Sequence, residues 1–382
     1  MRISVTESLA DVPARQWNSL VKDRDPFLSH EFLSALERHH CVGERTGWLP
    51  YHLLCRGDDG RLLGACPLYL KTNSYGEFVF DWSWAEAYRR NGLRYYPKLV
   101  SAIPFTPATG QRLLLAPEAP PAVAAALIGH ALEETRRLGC SSLHWLFPQP
   151  EQMPALLEQG LLQRLGCQFH WHNPGYRDFA DFLDTLSSKK RKNIRRERRL
   201  VEQAGVELEV LQGREIRHQD WQVFHGFYRS TFARLGGYAT LTLPFFQEIG
   251  QTLGNRVILV LARVRGHSVA GALCLRSDHT LYGRHWGANE SYDSLHFEAC
   301  YYQGIEFCIR HGLRRFEPGA QGEHKVSRGF LPTFTYSAHW LAHPAFHSAV
   351  ATFLERETPA VRAYADELAQ HSPYRSAQET VP

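Results

Sequence analysis

Two stretches of this chain, 207 residues apart, carry the same pattern, and a fold that must be built twice constrains the architecture more than any other feature of the sequence. Residues 56–76, RGDDGRLLGACPLYLKTNSYG, align with residues 263–283, RVRGHSVAGALCLRSDHTLYG. Arg56 falls on Arg263, Gly64-Ala65 on Gly271-Ala272, Leu68 on Leu275 and Tyr75-Gly76 on Tyr282-Gly283. An apolar strand precedes each copy (YHLLC; VILVLARV), and a turn and second strand follow. A third strand is predicted over an aromatic cluster, FVFDWSW in the first copy and LYGRHWGA in the second. Each meander then feeds a helix. In the second copy Leu295, Ala299, Tyr302, Ile305 and Ile309 recur at helical spacing and Gly312 supplies a stop. Strands SSLHWLF and RRFEP come next. Strands and helices that alternate in meanders as well as crossovers predict a mixed α/β (α+β) chain with a mixed sheet in each half, divided into domains at 1–170 and 171–382.

At 382 residues the chain accommodates two ordinary domains. With 44% hydrophobic and 21% charged residues, disordered and collagen-like classes are excluded. The opening MRISVTESLADVPARQW has no apolar core of a signal peptide, and no stretch approaches ~18 apolar residues, so the expectation is a cytoplasmic protein without an integral membrane segment. Eight cysteines lie singly, with no C-x-x-C spacing, and read as small buried hydrophobes. His170 and His172 share one face of a strand, but no third ligand accompanies them, and no metal is expected.

The net charge is +4, yet Lys189 to Arg199 holds eight basic residues and one Glu, so the remainder of the chain is acidic. Phe179, Phe182, Leu183 and Leu186 predict a short amphipathic helix. Ser187 or Ser188 then caps a basic helix that runs to Ala204-Gly205 and into the strand VELEVL. Ile194 and Val201 give that helix only a thin apolar seam, leaving a face that either meets water or holds a polyanion.

The order of elements, with KKRKNIRRERR opening the second copy, resembles the FemAB-like proteins, double-GNAT relatives of the Fem aminoacyltransferases. The stretches that carry the resemblance are DPFLSHEFLSALE, FDWSWAEAY, YYPKLVSAIPFTPATGQRLL, RHWGANESYDSLHFEACYYQGIEFCIRHGL and FEPGAQGEHKVSRGF. The resemblance implies tandem GNAT-like domains and transfer of an acyl or aminoacyl group from an activated donor to an amine, with a peptidoglycan-precursor-like acceptor. No cofactor is firmly implied; acyl-CoA and aminoacyl-tRNA are the candidate donors. The loop WGANESYDSLH lacks the R/Q-x-x-G-x-G/A pattern that holds a CoA pyrophosphate, and the literal match Arg234-x-x-Gly237-x-Ala239 precedes the meander, where it reads as chance.

On a helical wheel Glu298 and Glu306 fall within the apolar arc of the second-copy helix. A carboxylate there suits either a general base with a raised pKa or a structural ion pair with an arginine. Glu298 is the preferred base, with His296 at the helix start as a relay. EPGAQGEHK offers Gly319 and Gly322 for close backbone approach to a ligand, and Glu323 and Lys325 for charge, Lys325 also matching a lysine that recurs in Fem-like transferases. Asp81, Trp82, Trp84 and Trp286 are candidates for a sugar or acyl groove. Lys98 and PFTPATG look like the first copy's counterpart of the glycine loop. By the Fem pattern Lys189, Arg191 and Arg195 border the acceptor groove and would contact phosphates of a small-molecule or lipid-linked substrate, or of tRNA. Two other readings stay open, a catalytically degenerate tandem GNAT that binds a cell-wall precursor and an RNA-binding accessory.

Overall fold

The computed structural model describes residues 1–320 and 322–375. They divide into two compact units, residues 1–167 with 334–363, and residues 168–333 with 364–375.

The first unit begins with β1 (Arg2–Thr6) and helices α1 (Ala14–Asn18) and α2 (His30–Arg38), followed by β2 (Trp48–Pro50), β3 (His52–Arg56), β4 (Leu62–Cys66) and β5 (Tyr69–Lys71). Helix α3 (Trp82–Arg90), β6 (Lys98–Ser101), β7 (Leu114–Leu115), α4 (Ala122–Arg137), β8 (Ser142–Leu146) and α5 (Met153–Glu158) complete its first pass. Strands β1, β3, β4 and β7 form one antiparallel ladder. Strands β2, β5 and β6 are antiparallel neighbours, and β6 runs parallel to β8. Apolar residues of α4, Val123, Leu127, Ile128 and Ala131, bury against Leu53, Cys55, Leu99 and Leu143 as the core. Gly64 makes this close approach feasible, because a Cβ there would stand 2.8 Å from Val123 Cγ1.

Strand β9 (Leu162–His172) carries the chain into the second unit. There α6 (Phe179–Asp184) and α7 (Ser188–Gln203) lead to β10 (Glu207–Gln212), α8 (His218–Arg234) and α9 (Leu243–Thr252). The meander β11 (Val257–Val264), β12 (His267–Arg276) and β13 (Thr280–Ala288) follows. One helix is then built from α10 (Leu295–Phe297), a π turn (Glu298–Tyr302) and α11 (Gln303–Arg310), and β14 (Arg315–Glu317) ends the repeat. Strands β10 to β13 are successively antiparallel, and β13 pairs parallel with β14 over three residues. The run of strand, helices, antiparallel meander, helix and parallel strand thus occurs in both units, which is the tandem GNAT-like α/β organisation expected.

The 207-residue offset lays β4 on β12, with Gly64 on Gly271, but their partners Cys55 and Leu261 are 206 apart, so β3 and β11 are displaced by one residue within an otherwise equivalent hairpin. Beyond that hairpin it fails. FVFDWSW is not a strand. Residues 72–81 are loop, and Trp82 opens α3, while the counterpart of β13 is β6 at Lys98–Ser101. PFTPATG therefore follows the β13 equivalent and is not the counterpart of the glycine loop after β14. Nor does the second domain run unbroken from 171 to 382. Strand β15 (Leu331–Leu341) pairs with β8 from Ser337 to Leu341, and residues 334–363, including most of α12 (Pro344–Gln370), return to the first unit. His144 and His339, cross-strand partners in that pairing, are hydrogen-bonded through their Nδ1 atoms at 2.7 Å.

Candidate active site

In the second unit β13 and β14 are hydrogen-bonded only from Thr280–Tyr282 to Arg315–Glu317 and then part. Gly283 sits at the point of divergence, where a Cβ would meet Pro318 Cα at 3.1 Å. A bulge between Leu273 and Cys274 leaves Arg284 as the extra residue on β13, a local kink of the kind that re-aims side chains beside functional sites. Between the parted strands lies a cavity of about 80 Å³ lined by Cys274, Arg284, Trp286, His296, Cys300, Tyr301 and Pro318. Lys325 is buried close by and donates from Nζ to Gly319 O at 2.7 Å. Gly319 and Gly322 hold φ of +101° and +114°, conformations that require glycine, and so give the loop after β14 its path.

The charges of these groups follow from burial. Burial lowers His296 to about 4, with His324 and Lys325 adding to the effect, so its imidazole is neutral at physiological pH. Burial also lowers Lys325 to about 8. The Tyr301 phenol is hydrogen-bonded to Nε2 of the exposed His324 at 2.9 Å. This arrangement depends on the π turn. At ~100° per residue an α-helix would place positions 296 and 301 on different faces, but the i→i+5 winding brings the two rings to 5.3 Å. Trp286 packs on His296 from β13 at 5.4 Å.

Glu298 does not join them. It is 3% exposed and takes a two-pronged contact from Arg198 of α7 at 3.0 and 3.1 Å, with Gln303 donating at 2.9 Å. The same guanidinium reaches Glu306 at 2.7 Å. Burial still raises the Glu298 carboxyl against the pull of Arg198. Its neighbour on α7, Glu197, is buried against Arg328 at 2.7 Å and accepts from Tyr302. The structural ion pair weighed for Glu298 and Glu306 is thus what the fold forms. Glu323 lies on the surface and accepts from Tyr364 at 2.7 Å.

Helix α7 divides its basic residues. Arg191 bonds Asp184 at 2.8 Å and Arg198 turns inward, whereas Lys189, Lys192, Arg195, Arg196 and Arg199 are exposed. In the first unit Lys98 meets Asp81, but both are sealed in with Trp84, so neither Asp81 nor Trp84 lines an open groove. Trp82 is exposed. The opening equivalent to the β13–β14 cleft is filled there by the buried Arg112, whose guanidinium donates to Leu146 O, Ala108 O and Gln111 O, each at 2.8 Å. His170 is buried and His172 exposed, and no cluster of metal-ligating side chains occurs among the described residues. A larger depression of about 450 Å³ between α8 and α9 is lined by Arg214, His218, Trp221 and Gln247, but its His218–Gln247 contact is exposed, so it lacks the desolvated groups of the cleft.

The model of the FemAB-like family, described as peptidoglycan biosynthesis/recognition, matches residues 8–376. The chain belongs to the FemAB-like family. FemAB-like architecture extends to solved structures of low identity. The chain is similar to FemX (TM-score 0.56, 11% identity, covering 92% of this chain and 100% of that one). It also resembles the C-terminal domain of a putative lysylphosphatidylglycerol synthetase from Agrobacterium fabrum (0.54, 11%, 91% and 97%) and L-PGS from Bacillus licheniformis (0.52, 12%, 85% and 96%). These likenesses concern the fold. No curated protein matches the sequence.

Proposed function

We propose that this FemAB-like protein is an N-acyltransferase or aminoacyltransferase whose active site is the β13–β14 cleft, acting on an amine of a peptidoglycan-precursor-like acceptor. The observation that supports it most is the neutral, half-buried His296 against Tyr301 in the cavity where two parallel strands part, with the charge of Lys325 near enough to lower the imidazole further. The amine reaches the cleft with its lone pair free, one ammonium proton having passed to solvent, and attacks the donor carbonyl. His296 takes the remaining extra proton from the tetrahedral nitrogen, which is more acidic than the free ammonium, and returns it to solvent after turnover, while the carbon–leaving-group bond breaks as the intermediate collapses. The Lys325 ammonium faces the developing oxyanion. Tyr301 protonates the leaving group and is reprotonated through His324, which reaches solvent. Aminoacyl-tRNA or acyl-CoA supplies the activated carbonyl; the exposed cations Lys189, Lys192, Arg195 and Arg199 would hold phosphates of donor or acceptor.

The test is transfer of a labelled aminoacyl or acyl group to a precursor amine. His296→Gln should lower kcat by about 100-fold or more with an unchanged melting temperature. Near-normal turnover in this variant would sink the assignment. Saturable precursor binding, with no transfer from either donor by the unaltered protein, would favour the degenerate binding module instead.

A further inference from the structure

We propose that loop 72–81, with the exposed face of α3 that Trp82 opens, is a docking surface for an anionic lipid bilayer. The polarity of this loop is inverted. Tyr75, Phe78, Phe80 and Trp82 are 69%, 39%, 56% and 42% exposed, while Ser74, Glu77 and Asp81 are buried. The inward carboxylates are met from beneath. Lys98 Nζ donates to Glu77 and Ser74, each at 2.8 Å, and to Asp81, and Lys71 stands 4.0 Å from Glu77. Charges that would normally keep a surface loop soluble are thereby consumed inside, and the tip carries four aromatic side chains and no free ion. Phe78 holds φ +61°, a region that a bulky residue occupies only when its surroundings impose it.

Charge selects the occupant. Trp82, Glu86, Arg89 and Arg90 share one face of α3 at i, i+4, i+7 and i+8. Glu86 bonds both arginines, at 2.7 and 2.9 Å, and exposed Arg94 follows, so this rim is net positive. Seven residues of helix put the arginines ~10 Å from Trp82 along the axis. That offset is of the order of the headgroup layer, with aromatic rings at the acyl boundary and cations at the phosphates. A glycan platform would need carboxylates or amides beside its rings, and here Glu77 and Asp81 have turned inward and Asn73 is engaged with Lys71, Thr46 and Tyr75, which leaves the short hydroxyls of Thr72 and Ser83 exposed. A second copy of the chain would bring like-charged arginines together. The proposal concerns the first unit and stands independently of the catalytic reading of the second.

The experiment is sedimentation of the full chain with vesicles of phosphatidylcholine alone or containing about one-third phosphatidylglycerol. The unaltered protein should pellet with the anionic vesicles at low salt. Phe78→Ser/Phe80→Ser/Trp82→Ser should weaken this by about tenfold or more with its melting temperature retained. Arg89→Gln/Arg90→Gln/Arg94→Gln should remove the preference for anionic vesicles, which checks the idea by a route that leaves the loop intact. Failure of the unaltered protein to bind either vesicle overturns the proposal, as does equal binding by the serine variant. Self-association or binding of a soluble muropeptide that the serine variant abolishes, without vesicle binding, would assign the surface to those occupants and equally overturn it.

Discussion

Arg198 shows how a single side chain redistributes roles that a helical wheel leaves ambiguous. From sequence, Glu298 could be seen to face inward, but its partner lies 100 residues earlier in the chain, on a helix whose charge suggested outward interaction. With the pair assembled, Arg198→Met should destabilise the protein by about 3–5 kcal/mol in urea melts, because it leaves a buried carboxylate without its cation. Glu298→Gln, which can keep its Gln303 contact, should cost about 1–2 kcal/mol and leave kcat within a few-fold. A hundredfold drop in kcat at unchanged stability would instead restore Glu298 as the base. Lys325 gives a pH signature. Its ammonium is present below about 8 and lost as pH rises through that value, so kcat/KM should fall on the alkaline side near 8. In Lys325→Arg that limb should move upward, since guanidinium keeps its proton. No acid limb near the ordinary histidine value is expected, because His296 protonates only near 4.

Among the elements, the helix from Leu295 to Arg310 was legible in its extent and its stop, but not in its winding. No residue type announces a π turn, so Tyr301 was missed as a neighbour of His296, and His324, in the same run as Glu323 and Lys325, was given no role of its own. Helix α7 was legible from end to end, Ser188–Gln203, because its seam of Ile194 and Val201 and the serines at its start are local signals, although Ser187 at the N-cap position makes no side-chain cap hydrogen bond. Which of its cations face outward depended on contacts remote in sequence. Arg195→Glu/Arg199→Glu, on that exposed face, should raise KM for a phosphate-bearing substrate by about tenfold with kcat nearly unchanged, measured at fixed ionic strength. Packing of α11 on β14 offers a second check. A Cβ on Gly304 would lie 2.3 Å from Phe316 Cε1, so Gly304→Ala should cost about 1–3 kcal/mol and shift the wall of the cleft.

For the molecule as a whole, the duplication was readable because hairpins β3–β4 and β11–β12 keep their glycines where backbone or helix approaches closely. The return of residues 334–363 was not, since a strand's partner is chosen by tertiary pairing and β15 carries no local mark of its destination. The first unit is therefore discontinuous in sequence. A fragment of residues 1–167 should give no cooperative melt, and adding residues 334–363 in trans should restore one, read by circular dichroism. The same threading bears on biosynthesis. Strand β8 emerges from the ribosome with the edge that β15 will cover still open, and its partner residues, 337–341, are made almost 200 residues later. At ~5–20 residues per second that edge waits roughly 10–40 s for its neighbour. Translation speed and chaperone capture over that interval should set the yield of folded protein, a demand that the same two units joined end to end would not make.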